Sequence, residues 1–254
     1  MRRLVTDTLI IAERNLIRLP RRPELLLAFT VQPIMFTLLF RYVFGGAIQT
    51  GGIPYVDFLI PGIVVQTIAF GGFVTALGLN DDLHKGLIDR FRSLPMARPA
   101  LLAGRTLADV ATNALTVVVL VVTGVIVGFS FNTGVLSVIA GFGLALLIGY
   151  AFSWVFALAG LVASTPESAQ SVGFITIFPL TFISSAFVPP ATMPEPLKWF
   201  AHVNPFTIMV DAMRALWTGA PAHNYVWGAV AWAVGILVVF APLAVARYRR
   251  ATGG

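Results

Sequence analysis

The sequence predicts an all-α integral membrane protein with six transmembrane helices. Of its 254 residues, 57% are hydrophobic and only 11% are charged. A soluble fold of this size could not bury so much apolar surface, and several apolar runs reach the length of about 20 residues that a helix needs to cross a bilayer. The runs are longer than barrel strands and do not alternate apolar with polar residues. Only helices can therefore satisfy their backbone groups in lipid.

Six apolar windows follow one another along the chain, each close to the length of a membrane-spanning helix. Between Asp109 and Glu167 the sequence has no Lys, Arg, Asp or Glu, and this stretch is long enough for two spans. A turn at Asn132, Thr133 and Gly134 is expected to join them. The predicted spans cover residues 25–44, 58–79, 109–129, 134–163, 168–188 and 225–246.

The basic residues indicate the orientation of the spans. The N-terminal segment, the loop after the second span and the C-terminal tail carry 6, 5 and 3 basic residues, whereas only Arg41, Lys198 and Arg214 fall on the other side. Loops rich in Lys and Arg remain in the cytoplasm. The distribution therefore predicts a multi-pass protein with both termini in the cytoplasm, together with the loop at residues 80–105.

The N-terminal segment, residues 1–22, is predicted to form an amphipathic helix that lies along the inner membrane surface. It mixes leucines and isoleucines with four arginines and two acidic residues in a roughly helical pattern before Pro20. Such a helix can direct its arginines toward anionic lipid headgroups. Pro20 and Pro23 are expected to end it before the first span. An anchor with no signalling role fits the same pattern.

The segment before the last span, residues 188–222, is rich in proline. Its prolines divide it into two pieces, at about 195–202 and 206–217, that are too short to cross a bilayer and too apolar to remain in water. We therefore expect two short re-entrant helices in the outer leaflet. Asp211 and Arg214 are three residues apart on the second piece and are expected to form a structural ion pair.

Motifs for chemistry are absent from the sequence. It contains no cysteine, no GxxxxGK[ST] phosphate loop and no HExxH motif. His84, His202 and His223 lie in separate loops, without the spacing of metal ligands. The sequence thus predicts no catalytic residue, no metal site and no cofactor on this chain.

The block at residues 86–109 reads GLIDRFRSLPMARPALLAGRTLAD and lies between the second and third predicted spans. A second pattern, SSAFVPP followed by NPFT and RAL, precedes the last span. Together they resemble type-2 ABC transporter permeases, in particular the daunorubicin-resistance-like exporters of drugs or lipids. The resemblance covers nearly the whole chain and implies a single permease domain at residues 1–254.

The resemblance implies that the chain moves an amphiphilic substrate out across the cytoplasmic membrane of a prokaryote. It also implies two copies of a separate ATPase subunit, which would bind ATP and Mg²⁺, and a second copy of the permease. Lipid surrounds such a protein, and no nucleic acid is expected as a partner. Two alternatives stay open: a scaffold subunit that relays the state of a bound ATPase without transport, and a polytopic membrane enzyme.

In the family, a short coupling helix after the second span docks on the ATPase. A helix at about 82–93, stopped by Pro95, would place Leu83, Leu87 and Arg90 on one face. The basic charge alone has a simpler explanation, because any cytoplasmic loop should be basic. Gly104, Arg105 and Asp109 would lead into the third span. The resemblance assigns the coupling role to Gly86, Leu87, Asp89, Arg90, Arg92, Leu94 and Pro95.

Amides and phenyl rings recur at helical spacing inside the first, second and fifth spans. Such stripes most often represent packing between helices. An unpaired amide in the membrane is expensive, however, so these glutamines should face another helix or a wet cavity. The resemblance implies a substrate pathway that two protomers share, and we predict that one set of these residues lines it: Gln32, Phe36, Gln66, Phe70, Phe73, Gln170, Phe174 and Phe178.

Overall fold

A computed structural model of the protein describes residues 6, 8, 10–13, 23–50, 52–84 and 98–251. Within these ranges the regular structure is helical and no strand occurs. The helices are α1 Pro23–Leu39, which continues into a π-helical turn at Phe40–Phe44, α2 Tyr55–Phe70, α3 Phe73–His84, α4 Arg98–Ile126, α5 Val135–Val162, α6 Pro166–Phe182, α7 Glu195–Val203, α8 Pro205–Thr218 and α9 Tyr225–Ala251.

Among the described residues, four stretches are long and apolar enough to cross a membrane: Tyr55–Asn80, Leu102–Ile126, Val135–Val162 and Tyr225–Arg250. The shortest of them has 25 residues, which corresponds to about 38 Å of helix against a hydrocarbon core of about 30 Å. The prediction of an all-helical membrane protein is confirmed. The other two predicted spans fall on α1 and α6, which have 17 residues each, so the count of six spans stays a prediction.

The second predicted span is broken near its middle. α2 ends at Phe70 and α3 begins at Phe73, and the two glycines between them form a turn. A side chain at Gly72 would collide with Phe156 of α5, because a Cβ placed there would lie 2.6 Å from that ring. The break therefore lets Phe156 pack directly against the backbone of the second span.

α5 is the central helix of the bundle, and α2, α3, α4, α6, α8 and α9 all contact it. Its side toward α3 is closely packed at Gly160, where a Cβ would lie 2.4 Å from the carbonyl oxygen of Ala76. Small residues let helix backbones approach in this way in a membrane, where hydrophobicity does not drive helices together. Asn80 of α3 then donates to the carbonyls of Gly160 and Ala163, at 3.1 and 2.8 Å.

The connecting segments gather at the two ends of the bundle. One end, which we call the Arg214 end, contains residues 41–50, 52–58, 126–135 and 183–225. There, Ser130 N–H donates to Asp57 at 3.0 Å, and Asn132 N–H donates to the carbonyl of Trp217 at 3.0 Å. The opposite end, the Asn80 end, contains residues 80–84, 98–105 and 160–166. Successive long helices therefore run in alternate directions, as the predicted topology requires.

The two short helices predicted before the last span are confirmed as α7 and α8, each within one residue of the predicted bounds. Asn204 separates them and begins α8, because its side-chain oxygen accepts from Phe206 N–H at 2.9 Å. Its amide nitrogen donates to the carbonyls of Leu180 and Ile183, both at 2.7 Å. One asparagine thus joins the end of α6 to the start of α8.

The third predicted span begins earlier than expected. α4 starts at Arg98, near a proline that its first turn tolerates, so Arg105 and Asp109 lie inside the helix. A charged residue near a span had suggested a boundary, but Asp109 is paired, since Thr75 Oγ1 donates to its carboxylate at 2.6 Å. The helix therefore begins before the predicted start of the span at about residue 109, and where the membrane begins along it stays a prediction. A neighbouring helix provides the polar partner that lets the helix extend through this position.

Only part of the N-terminal segment belongs to the described residues. Residues 10–13 are helical, with Ile11 and Ala12 buried and Ile10 and Glu13 exposed. Ile11 packs on Gly104 of α4, where a Cβ would lie 2.6 Å from the Cβ of Ile11. Most of the predicted interfacial helix lies outside the described residues, as does the predicted coupling helix at about 82–93 except for its first residues, 82–84, which end α3.

Candidate functional site

A cavity of about 480 Å³ lies between α1, α2, α3 and α6. All eight residues that the sequence predicted for the substrate pathway line it, although they come from three separate stretches of chain. Its lining consists of Gln32, Pro33, Phe36, Gln66, Thr67, Phe70, Phe73, Leu77, Gln170, Phe174 and Phe178. Whether substrate enters this cavity stays a prediction.

Phenyl rings form one wall of the cavity. Phe70 stacks on Phe73 with ring centroids 5.5 Å apart, and it contacts Phe174 of α6 at 6.2 Å. Phe174 in turn stacks on Phe178 at 4.7 Å. Rings in such offset contacts stabilise one another beyond the area that they bury. The wall therefore combines packing between helices with an aromatic surface that faces the cavity.

The series of rings continues beyond the cavity toward the Arg214 end. Phe182 stacks on Phe178 at 4.3 Å and contacts Phe187 at 4.9 Å. Phe187 stacks on Phe40 of the π-helical turn at 4.5 Å. An unbroken line of aromatic contacts thus leads from the cavity to the segment that follows α6.

Three amides share the cavity with the rings. Gln66 is 8% exposed, whereas Gln32 and Gln170 are exposed, and none of the three side chains has a hydrogen-bond partner among the described residues. A buried amide without a partner is costly, and in a membrane protein such a group marks a site that water or a ligand fills. None of the described residues that line the cavity is charged. The cavity is therefore aromatic, weakly polar and open to hydrogen bonding.

Sequence reasoning missed Pro33, Thr67 and Leu77. Leu77 follows Phe73 by four residues, so the helical spacing that identified the phenylalanines could also have found it. Pro33 and Thr67 each follow a lining glutamine directly, a position that spacing alone places on another face. They reach the cavity because the cavity lies between helices. Each helix therefore lines it with a surface wider than a single row of residues at helical spacing.

Arg214 forms a second cluster, at the Arg214 end. It is 4% exposed, and its guanidinium donates to Asp211 at 2.7 Å and to the carbonyl of Phe58 at 2.9 Å. It also donates to the carbonyl of Ser185 and lies over the Phe58 ring, 3.5 Å from the centroid. Ser185 Oγ donates to Asp211 at 2.8 Å. The predicted pair of Asp211 and Arg214 is confirmed, and it joins α8 to α2 and to the segment after α6.

Comparison with known proteins identifies the family to which the chain belongs. Residues 6–217 match the family described as ABC-2 type transporter. The chain belongs to the ABC-2 type transporter family. It is 35% identical to the daunorubicin resistance ABC transporter permease protein DrrB1 of Streptomyces coeruleorubidus, over 96% of this chain and 87% of that protein.

Two further relatives support the same assignment. A probable doxorubicin resistance ABC transporter permease protein, DrrC of Mycobacterium tuberculosis, is 28% identical over 99% of this chain and 91% of its own length. A putative transport permease, ycf38 of Cyanophora paradoxa, is 27% identical over 84% of this chain and 75% of its own. The protein is thus a membrane permease of the ABC transporter class.

Membership of the ABC-2 family defines what this chain contributes. Permease subunits of the family do not catalyse ATP hydrolysis themselves and work with ABC ATPase subunits. The residues predicted to couple the ABC-2 permease to its ATPase connect α3 to α4 and lie outside the described residues.

Proposed function

We propose that this ABC-2 permease exports an amphiphilic compound, a drug or a lipid, through the cavity between α1, α2, α3 and α6. The cavity carries the proposal: its volume of about 480 Å³ falls in the range of small-molecule sites, which are mostly apolar with a few polar groups. Phenyl rings would hold the apolar body, and the amides would hydrogen-bond to the polar part. The drug-resistance relatives support the same class of substrate.

The proposed arrangement in the membrane has six spans, with α1 and α6 as the two shorter ones. Both termini would be in the cytoplasm of a prokaryote, and the Arg214 end would face outward. The distribution of basic residues supports this orientation, as does the alternating direction of the long helices. α7 and α8 would then lie in the outer leaflet, without crossing it.

Reporter fusions test the orientation. A reporter inserted at Ala191 and one fused after Gly254 are expected to report opposite sides of the membrane, because α9 alone separates the Arg214 end from the C-terminal tail. A reporter inserted at the exposed Gln49 should report the same side as Ala191, since both belong to the Arg214 end. Reporters at Ala191 and Gly254 on the same side would contradict the topology.

The proposed complex contains two permease copies and two ATPase copies, and the ATPase would bind ATP and Mg²⁺. The segment that connects α3 to α4 would transmit the movement of the ATPase to the helices, through Gly86, Leu87, Asp89, Arg90, Arg92, Leu94 and Pro95. Because α3 and α4 both pack against α5, a displacement of this segment would act on the centre of the bundle.

Charge reversal tests the coupling. The variants Asp89→Lys and Arg92→Glu are expected to abolish export while the permease still inserts, because reversed charges oppose docking on the ATPase. Export is measured as uptake of daunorubicin, the compound in the name of one relative, by inside-out vesicles that contain permease and ATPase. Arg250→Glu, the same change on the exposed end of α9, serves as control and should transport normally.

Two outcomes of the vesicle assay would contradict parts of this proposal. Normal transport by both Asp89→Lys and Arg92→Glu would remove the coupling assignment. Absence of ATP-dependent movement of daunorubicin and of lipid analogues alike, with the ATPase bound and active, would contradict an export function and favour a scaffold that transports nothing.

A further inference from the structure

The positions of two cavity glutamines along the bundle can be derived from helix direction. α2 and α6 run antiparallel, because the start of α2 lies beside the segment that follows α6. Tyr55 Oη donates to the carbonyl of Phe187 at 3.1 Å, and a Cβ at Gly62 would lie 2.1 Å from the carbonyl oxygen of Ala186. The contact between the rings of Phe70 and Phe174, at 6.2 Å, then fixes the register of the two helices.

Each helix carries its glutamine four residues before its ring. Gln66 precedes Phe70 on α2, and Gln170 precedes Phe174 on α6. Because the helices are antiparallel, Gln66 lies on the side of the ring contact toward the Arg214 end, and Gln170 lies on the side toward the Asn80 end. With a rise of about 1.5 Å per residue, the two backbone positions are separated by about 12 Å along the bundle.

We infer that the transported compound has two hydrogen-bonding ends separated by a flat apolar body, which lies along the wall formed by Phe70 and Phe174. Gln66 would bind one end and Gln170 the other. This inference rests on the proposed function and specifies its substrate class. An amide has two donor hydrogens and an acceptor oxygen, so each glutamine can bind a hydroxyl, a carbonyl or an amine.

The environment of the two amides favours a substrate with two polar ends over one with a single head group. Gln66 is almost fully buried and has no partner for its side chain among the described residues. Gln170 is exposed, so a compound with one polar end could satisfy Gln66 and would leave Gln170 to water, whereas a second polar end would replace that water with a hydrogen bond to the compound. The part of the lining that the structure describes offers no charged side chain, so the ends would be recognised by hydrogen bonds rather than by an ion pair.

Three probes of defined shape test this inference by equilibrium dialysis against the full chain in lipid nanodiscs, with empty nanodiscs as background. The first is biphenyl with a hydroxymethyl group at each para end, and the second is biphenyl with a single para hydroxymethyl group. The third is benzene with hydroxymethyl groups at both para positions, which has two hydroxyls too close together to reach both amides. We expect the first probe to bind about two- to tenfold more tightly than the second, the gain of one hydrogen bond, and the third to bind most weakly.

Variants assign the effect to the two amides. Gln66→Met and Gln170→Met should each remove the advantage of the two-ended biphenyl over the one-ended biphenyl, because methionine keeps the unbranched shape and loses the amide. Gln49→Met, on an exposed loop outside the cavity, is the matched control and should leave the advantage unchanged. Equal melting temperatures would show that the variants remain folded.

The outcomes separate this inference from the proposed function. If both biphenyls bind with equal affinity, and Phe174→Ala weakens both, the cavity is a binding site but the two-ended substrate is wrong. If neither biphenyl binds in a way that depends on Phe174, both the inference and the proposed cavity are wrong. An advantage of the two-ended probe that persists in Gln66→Met and Gln170→Met would also overturn the assignment to these amides.

Discussion

Arg214→Met is expected to lower the free energy of unfolding by about 3–5 kcal/mol, the usual effect of removing one partner from a buried ion pair. The loss should be large because the guanidinium donates to three segments of chain at once, including the carbonyl of Phe58. Without it, Asp211 keeps one side-chain partner among the described residues, the hydroxyl of Ser185. Thermal unfolding of the detergent-solubilised chain measures the effect as a lower melting temperature.

The chain provides a matched control for this prediction in α7. Lys198 and Glu195 form an ion pair with the same spacing of three residues, at 3.3 Å, but their side chains are 36% and 85% exposed. Lys198→Met should therefore change the free energy of unfolding by about 0–1 kcal/mol. Similar melting temperatures for Arg214→Met and Lys198→Met would contradict the assigned role of Arg214 in joining α8 to α2.

The comparison between the two ion pairs also indicates the limits of sequence reasoning. Spacing predicts both pairs equally well, because i and i+3 positions are neighbours on any helix. It does not predict that Arg214 reaches the carbonyl of Phe58, which is 156 residues away in the chain. Whether an ion pair is buried or exposed depends on how the helices pack against one another. The residues next to the pair in the sequence do not reveal this packing.

Local sequence patterns predicted most of the helices. They failed where contacts with a neighbouring helix determine where a helix begins or breaks. Prolines and Asn204 determine the bounds of α7 and α8, so sequence alone placed these helices closely. The break between α2 and α3 was missed because two glycines lower the hydropathy of an apolar run only slightly, so the run still looks continuous. The early start of α4 was missed because Asp109 looks like a boundary until Thr75 is found beside it.

The cavity residues could also be predicted from local sequence patterns. A glutamine in an apolar span is costly wherever it lies, and a phenylalanine four residues later shares its face. These two signals identified three separate stripes, on α1, on α2 with α3, and on α6. Spacing within one helix could not show that the three stripes meet in one cavity, because that depends on the packing of antiparallel helices.

Individual rings of the aromatic wall should differ in what they contribute, and alanine substitutions can separate binding from packing. Phe174 lines the cavity and is 48% exposed, so Phe174→Ala should lower the apparent affinity for substrate about ten- to hundredfold, the effect of losing an apolar contact of about 1–3 kcal/mol. Its melting temperature should change little, because a half-exposed ring leaves no closed cavity behind. The concentration dependence of transport in the vesicle assay measures the first effect.

Phe156 provides the opposite case. It is 1% exposed, lies behind Phe73 with ring centroids 4.5 Å apart, and is absent from the cavity lining. Phe156→Ala should therefore cost about 3–5 kcal/mol of stability, the usual effect of truncating a buried ring, and should leave the concentration dependence of transport unchanged in the folded fraction.

Phe73 faces the cavity and also packs on Phe156, so Phe73→Ala should lower both affinity and melting temperature. A Phe174→Ala variant that loses stability but keeps its affinity would show that the aromatic wall holds helices together and does not bind substrate.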